Sequence, residues 1–187
     1  MIPVLILGFI VVGVVLYLTT IYNSLVAVKN DVQKAWANID VLLKQRHDEL
    51  PKLIKTCETY MQYEQDTLKK VIELRSKAMG AGSVGQKALI EGELTQTLGK
   101  IFALAENYPN LKAEGTFQNL QTRISGLENQ IADRREFYNE SVNNYNIRIQ
   151  SIPDMFVAGF MQLKAMEIFK VSESDREDVS VDMKLPS

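Results

Sequence analysis

The chain has 187 residues, with 21 basic and 23 acidic side chains and a formal net charge of −2 at pH 7. Proteins that bind nucleic acid through its phosphates present a basic surface, so this charge balance predicts no nucleic-acid partner. A single histidine excludes the paired histidines of di-iron bundles and zinc proteases, and a single cysteine excludes an intramolecular disulfide. We therefore predict no metal site and no cofactor.

The chain opens with an uncharged apolar run. Residues 4–21 are 18 residues without a charge, and a helix of that length crosses the ~30 Å hydrocarbon core of a bilayer. A cleavable signal peptide is the alternative, but it needs a basic segment before the run and small residues at a cleavage site. Neither pattern occurs before Lys29. We predict a short external N-terminus and a retained transmembrane anchor over residues 1–22.

The charges that flank the apolar run predict its orientation. Lys29, Lys34, Lys44 and Arg46 follow the run, and no basic side chain precedes it. Because basic residues accumulate on the cytoplasmic side of membrane proteins, we predict the N-terminus outside and the rest of the chain in the cytoplasm. The single Cys57 agrees with a reducing compartment.

A long helix is predicted after the anchor. Apolar residues recur at helical spacing from Leu25 to Val71. Pro51 lies within this pattern, lacks a backbone N–H and crowds the carbonyl of His47. No glycine or turn cluster accompanies the proline, so we predict one kinked helix that ends at about Met79. A stop near His47, followed by a second helix, is the alternative.

The glycine-rich stretch at residues 80–85 ends this helix. Its sequence, GAGSVG, matches the G-x-G-x-x-G pattern of dinucleotide-binding loops, and Lys87 gives it a likeness to a phosphate loop. Such loops follow a strand, and a phosphate loop needs Ser or Thr where this chain has Ala88. Residues 69–77, which precede the stretch, have a helical sequence instead. We predict a flexible connector between two helices.

Two further helices are predicted in the second half of the chain. The first covers residues 86–107, and Tyr108-Pro109-Asn110 breaks it. The second begins at Thr116 as its N-cap, has about 35 residues and ends before Pro153. Whether the connection between the two helices reverses the chain stays open.

A shorter amphipathic segment is predicted at residues 155–169, followed by a polar, acidic and mobile tail at residues 172–187. Helices that each carry one apolar face must bury those faces against one another. The predicted fold is therefore all-α, with an N-terminal transmembrane helix and then an elongated antiparallel bundle of about four helices within residues 23–171.

Few side chains suggest chemistry. His47 stands beside Asp48 and Glu49 and is interpreted as a solvated helix residue. Every nucleophilic scheme in this chain would require that histidine, so we predict no catalytic residue and no enzyme. Trp36 is interpreted as an anchor of the helix seam. Several charged residues are predicted either to form interhelical ion pairs or to face solvent: Asp40, Arg46, Glu64, Arg75, Glu106, Glu128, Arg134 and Arg135.

A repeated dipeptide stands out in the third predicted helix. Tyr138-Asn139 recurs seven residues later as Tyr145-Asn146, which places both pairs on one helix face. Tyr22-Asn23 repeats the pair at the membrane boundary. Tyrosine offers an apolar ring with a polar tip, and asparagine offers both donors and an acceptor. We interpret the pairs as polar contacts at a helix seam, with an interaction site as the alternative.

A set of spaced motifs extends over about residues 20–153. These motifs are Tyr22-Asn-Ser-Leu-Val26, Ala35-Trp36, Ile39-Asp40-Val41, Leu43-Lys44-x-Arg46, Leu50-Pro51-x-Leu53, Tyr60, Glu64, Leu98-Gly99, Glu106-x-Tyr108-Pro109-x-Leu111-Lys112-Ala113, Phe117-x-x-Leu120-Gln121, Glu128-x-x-Ile131-Ala132-x-Arg134-Arg135, Tyr138-Asn139 and Tyr145-Asn146. Through them the chain resembles the LemA family. The resemblance implies a bacterial envelope protein with one N-terminal transmembrane helix, a short external N-terminus and a helical bundle. It implies no reaction.

We expect an interaction or scaffold protein at the inner face of the bacterial cell membrane, with a ligand-sensing bundle as the second reading and an enzyme as the third. The expected partners are the bilayer and other proteins. Self-association through residues 155–169, which are rich in Met and Phe, and burial of this segment as the fourth side of the bundle are equal alternatives. The candidate interaction residues are Tyr22, Asn23, Trp36, Asp40, Arg46, Pro51, Glu64, Tyr108, Pro109, Tyr138, Asn139, Tyr145 and Asn146.

Overall fold

The computed structural model of the chain describes residues 1–170. This part is all-helical and contains no strand, which confirms the predicted fold class. The predicted tail at residues 172–187 lies outside the described residues. The helices are α1 (Ile2–Glu58), α2 (Gln65–Gly80), α3 (Val84–Ala105), α4 (Pro109–Lys112), α5 (Gly115–Gln150) and α6 (Asp154–Phe160).

The first helix joins the apolar run to the bundle without a break. α1 has 57 residues, a length of about 86 Å at the rise of an α-helix. Every residue from Met1 to Thr20 is exposed, and burial begins at Ile21 and Leu25. The most apolar 18-residue window of α1 has a mean hydropathy of 2.7 and is 6% buried. By length and composition, α1 is the one helix among residues 1–170 that qualifies as a membrane span.

The helix passes through Pro51 and ends at Glu58, so the prediction of one helix to about Met79 is wrong. Proline leaves the carbonyl of His47 without its usual donor inside the helix. Arg75 of α2 replaces that donor, with its Nε 2.9 Å from the His47 oxygen. This bond between two helices explains why α1 continues beyond the proline.

The actual break lies at residues 59–64, where the sequence has no glycine or proline. At the end of the helix the Cys57 carbonyl accepts the backbone N–H groups of both Tyr60 and Met61, at 3.0 and 2.8 Å. Met61 turns inward and is fully buried. Burial of an apolar side chain therefore determines this break, which the local turn chemistry of the sequence does not reveal.

Four helices form an antiparallel bundle. α1 leads away from the apolar run, α2 returns, α3 leads away again and α5 returns along α1. Phe117 at the start of α5 packs in one core with Leu50, whereas Tyr145 near its end packs in another core with Val32. The connection at residues 106–114, which contains α4, therefore reverses the chain.

The bundle has two main cores. The distal core, which is farther from the apolar run, contains Leu53, Leu74 and Leu98 and is built by α1, α2, α3, α5 and the residues between them. The proximal core lies between the distal core and the apolar run, and it contains Ile39, Val142 and further residues of α1 and α5. α2 contributes nothing to the proximal core, and α3 contributes one buried residue, Ala88.

The predicted segment at residues 155–169 is helical only in its first part. α6 ends at Phe160, and Gln162 adopts a positive φ of 52°. After this turn, residues 163–170, here called the strap, run back along α5 without helical structure. Phe169 of the strap is buried in the proximal core, so the strap closes the groove between α1 and α5 where α2 is absent.

Candidate interaction site

The two Tyr–Asn pairs of α5 bind the backbone of the strap. Asn146 donates its side-chain N–H to the Met166 carbonyl and accepts the Met166 N–H, both at 2.9 Å. Asn139 donates to the Phe169 carbonyl at 3.1 Å and accepts the Phe169 N–H at 2.7 Å. Each asparagine therefore satisfies both backbone groups of one strap residue, as a neighbouring strand would.

The tyrosines add one bond each. The Tyr145 hydroxyl donates to the Lys164 carbonyl at 3.1 Å, and the Tyr138 hydroxyl donates to the Glu167 carbonyl at 2.9 Å. Burial raises the pKa of both phenols, and for Tyr138 the nearby Glu167 charge adds to the effect. Both hydroxyls therefore remain protonated donors at neutral pH.

The spacing of these contacts follows from geometry. Seven helical residues advance about 10.5 Å, and three extended residues advance about 10 Å. The asparagines at 139 and 146 consequently match Phe169 and Met166, and the tyrosines at 138 and 145 match Glu167 and Lys164. We call these four side chains the Tyr–Asn ladder. Every ladder bond is made to backbone, so the ladder recognises an extended chain and not particular side chains.

Trp36 lies where the strap meets three helices. Its ring lies 5.5 Å from the Tyr138 ring and 6.1 Å from the Phe169 ring, measured between centroids. The Lys87 Nζ of α3 stands 5.5 Å from the Trp36 centroid and 2.7 Å from a carboxylate oxygen of Asp40. The candidate residues Trp36 and Asp40 are therefore joined through Lys87, a residue that the sequence analysis considered only for a phosphate loop.

The glycine-rich stretch serves as the connector between α2 and α3. The Ser83 hydroxyl caps α3 by accepting the Gln86 N–H at 3.2 Å. The Gly85 N–H donates to Oε2 of Glu167 in the strap at 3.2 Å. A Cβ on Gly85 would stand 2.9 Å from that oxygen, so a larger residue here would require the Glu167 carboxylate to shift.

A cluster of buried charges joins α1, α3 and α5 at the base of the distal core. Arg46 is fully buried and forms ion pairs with Glu91 of α3 and Glu128 of α5. Its Nη1 also donates to the Thr95 hydroxyl at 2.9 Å, which in turn donates to Glu128 at 2.8 Å. Removing one member of a buried ion pair leaves the charge of the other member without that partner in the interior. We call Arg46, Glu91, Glu128 and His47 the ion cluster.

His47 is buried, so its interpretation as a solvated residue is wrong. Its Nε2 lies 3.0 Å from Oε1 of Glu91. Burial raises the pKa of the Glu91 carboxyl, but His47 and Arg46 outweigh it and hold the pKa below its ordinary value. Glu91 is not among the residues predicted from the sequence, although it occupies the apolar register of α3 with Leu94 and Leu98. A charged residue on an apolar seam is the signal that would have found it.

The other candidate residues do not join the ladder. Tyr22 faces α6 at the membrane end, and Asn23 is exposed. The structure places Pro51 on the surface of α1, Glu64 at the N-cap of α2, Tyr108 against the distal core and Pro109 at the start of α4. These candidate residues therefore lie at separate places in the fold and do not form one site with the ladder.

The apolar first helix and the bundle together define a membrane-anchored helical protein. The family model described as LemA family matches residues 35–183, and the chain belongs to this family. This confirms the resemblance.

Among its relatives, Magnetosome protein MamQ 2 of Paramagnetospirillum magneticum is 25% identical over 189 residues, which cover 86% of this chain and 70% of the relative. Magnetosome protein MamQ of Magnetospirillum gryphiswaldense is 25% identical over 194 residues, with 88% and 71% covered. Protein LemA of Metamycoplasma hominis is 29% identical over 159 residues, with 84% and 72% covered.

Proposed function

We propose that this protein is a non-catalytic interaction module that presents a rigid helical bundle at the inner face of the bacterial cell membrane. α1 crosses the bilayer with its N-terminus outside, and the bundle lies in the cytoplasm and binds other proteins. Lys29, Lys34 and Lys44 follow the apolar run, which supports this orientation.

The proposal depends on one observation, the unbroken course of α1 from the apolar run into the bundle. Ile21 and Leu25 are already buried with Ala158 of α6, so no hinge separates the run from the packed part. A bundle on a continuous helix keeps a constant position relative to the membrane-spanning segment. This geometry is better suited to a protein that holds partners at the membrane than to a domain on a mobile tether.

The two side chains best suited to covalent chemistry have structural positions. His47 contacts Glu91 inside the bundle. Cys57 is fully buried, and burial raises the pKa of its thiol to about 12. Because the thiolate is the nucleophilic form, this cysteine is unreactive at neutral pH. Both positions support an interaction role over an enzymatic one.

Orientation is tested with a reporter enzyme that is active only outside the cytoplasm, fused after Lys184. We expect no activity, whereas the same reporter joined ahead of Met1 should be active. The reverse result would place the bundle outside the cell.

The interaction role is tested by photocrosslinking in living cells. A photoreactive residue replaces Tyr63 at the distal end or Phe137 on α5, both exposed, and the matched control replaces the buried Ile124. We expect the same protein to crosslink repeatedly at one or more exposed positions and none at Ile124. The same crosslinks should form in the His47→Gln variant. If neither exposed position yields a protein crosslink, the proposed role is wrong.

A ligand-sensing bundle is the second candidate, and the ladder is the observation that favours it. The strap is a separate element held by six side-chain bonds to its backbone. Its release would open the groove between α1 and α5. The double variant Asn139→Ala, Asn146→Ala should then change the set of crosslinked proteins, while Asn144→Ala, at an exposed position on α5, should not. Identical sets would exclude this second function.

A further inference from the structure

The exposed face of α6 is apolar and lies beside the membrane-spanning part of α1. Phe156, Phe160 and the preceding Ile152 are 67, 88 and 75% exposed, at a spacing of four residues. The opposite side of α6 is fixed to the protein, because Ala158 is buried against Ile21 and Leu25. The aromatic side chains therefore have a defined position and nothing within the described chain covers them.

Beside this contact, a cleft of about 560 Å³ lies between α6 and the apolar part of α1. On the α1 side its lining includes Val15, Leu18 and Tyr22, and on the α6 side Phe156 and Phe160. Val15 lies six residues before Ile21, about 9 Å deeper along the helix axis. Interfacial helices insert their apolar faces about 5 to 10 Å into the boundary between headgroups and acyl chains. The axial distance from Ile21 to Val15 falls within this range.

Two threonine hydroxyls at this level are satisfied within α1. The Thr19 hydroxyl donates to the Val15 carbonyl at 2.8 Å, and the Thr20 hydroxyl donates to the Tyr17 carbonyl at 2.7 Å. Hydrocarbon offers no hydrogen-bond partners, so internal satisfaction is what a lipid environment requires. No charged residue occurs between Asp154 and Lys164, so apolar insertion and not headgroup charge would hold α6.

We propose that α6 is a second membrane contact, which inserts Phe156 and Phe160 into the cytoplasm-proximal leaflet that α1 crosses, with acyl chains filling the cleft. Continuity with the apolar run favours lipid over a second copy of the chain. The two contacts fix the rotation of the bundle about the axis of α1, which a single span leaves free. The inference rests on α1 spanning the membrane and needs no partner protein.

The test uses the full-length protein in phosphatidylcholine vesicles with a nitroxide attached through Phe156→Cys or Phe160→Cys. Phe9→Cys is the lipid control and the exposed Tyr63→Cys is the water control. Cys57 remains, and the unsubstituted protein should take up no label because that thiol is buried. Circular dichroism verifies the fold. Collisions with oxygen report lipid, and collisions with a water-soluble nickel chelate report water.

We expect the labels at positions 156 and 160 to have the same oxygen and nickel accessibilities as the label at position 9. This result should be the same with and without added phosphatidylglycerol. A label that shows spin–spin broadening and is shielded from both oxygen and nickel would identify a second copy as the occupant and overturn the proposal. Nickel access without broadening would show that the face is solvated, which would also overturn the proposal. Insertion that occurs only with phosphatidylglycerol would overturn it as well. If Phe9 itself is accessible to nickel, α1 does not span, and the proposed membrane anchoring fails with the inference.

A second variant separates insertion from folding. Phe160→Asp places a charge on a side chain that is 88% exposed, so the bundle should remain folded. With the label at position 156, this substitution should increase nickel access several-fold, while Tyr63→Asp should leave it unchanged. An unchanged label at position 156 would contradict insertion by this face.

Discussion

The distal and proximal parts of the bundle close the same groove, between α1 and α5, by different means. In the distal part α2 and α3 cover the groove, whereas the strap covers it in the proximal part. A helix satisfies its own backbone, so the distal part needs only apolar side chains to dock α2 and α3. The strap exposes N–H and C=O groups, so the proximal part needs the Tyr–Asn ladder to satisfy them.

The two parts also differ in where their polar groups lie. The ion cluster sits inside the protein, with Arg46 fully buried. The ladder is a row of side chains at the groove, where Asn139 and Asn146 are half-buried. We infer that disturbing the ion cluster destabilises the whole bundle, whereas disturbing the ladder releases the strap and leaves the distal part folded.

The largest expected effect belongs to Arg46→Ala. This change leaves Glu91 with His47 as its remaining partner and Glu128 without its arginine. Removing one member of a buried ion pair costs about 3 to 5 kcal/mol of unfolding free energy. Lys44→Ala, at an exposed position on the same helix, is the control and should change stability by less than about 0.5 kcal/mol. Denaturation of the detergent-solubilised protein, followed by circular dichroism, measures both. A loss below about 1 kcal/mol would indicate that water reaches the cluster.

Acid should destabilise the whole bundle through Glu91. The folded state holds the Glu91 pKa below its ordinary value of 4.5, so the unfolded state takes up the proton first. The stabilisation is complete above that value and is lost as the pH falls from it through the folded pKa. Thermal unfolding against pH should show this loss, and Glu91→Gln should flatten the curve relative to Glu140→Gln, at an exposed position. An equal slope in both variants would assign the acid sensitivity to other carboxylates.

The ladder variants sharpen the comparison. Asn146→Ala leaves the N–H and C=O of Met166 without partners, and Asn139→Ala does the same to Phe169. Each should destabilise the strap by about 1 to 2 kcal/mol, with faster hydrogen exchange at the Met166 and Phe169 amides. Asn144→Ala should leave the hydrogen exchange rates of both amides unchanged. If amides of the distal core accelerate equally, the two parts unfold as one unit and the comparison fails.

The smallest expected effect belongs to Lys87→Ala, which removes the contacts with Asp40 and the Trp36 ring. A partly exposed ion pair and a cation–π contact together contribute about 0.5 to 1 kcal/mol. Lys100→Ala, at an exposed position on the same helix, should change stability less. The difference should shrink at high salt because ions screen exposed charges. A salt-independent difference would mean that packing of the lysine stem dominates.

The sequence by itself determined the elements that depend on local periodicity. The apolar run, the α3 seam and the 36-residue α5 each repeat one pattern over many residues, and the structure has all three. The Tyr–Asn pairs were also visible, because seven residues return to one helix face. Their role as a ladder was not visible, since the strap that they bind lies about 20 to 30 residues further along the chain.

Only the tertiary structure decided where α1 ends, why His47 is buried and what closes the proximal groove. α1 continues past Pro51 because Arg75 of another helix supplies the missing donor, and it ends where Met61 finds a place in the distal core. The ion cluster unites residues from α1, α3 and α5. Such contacts join residues far apart in the chain, and their energy depends on burial that no local pattern specifies.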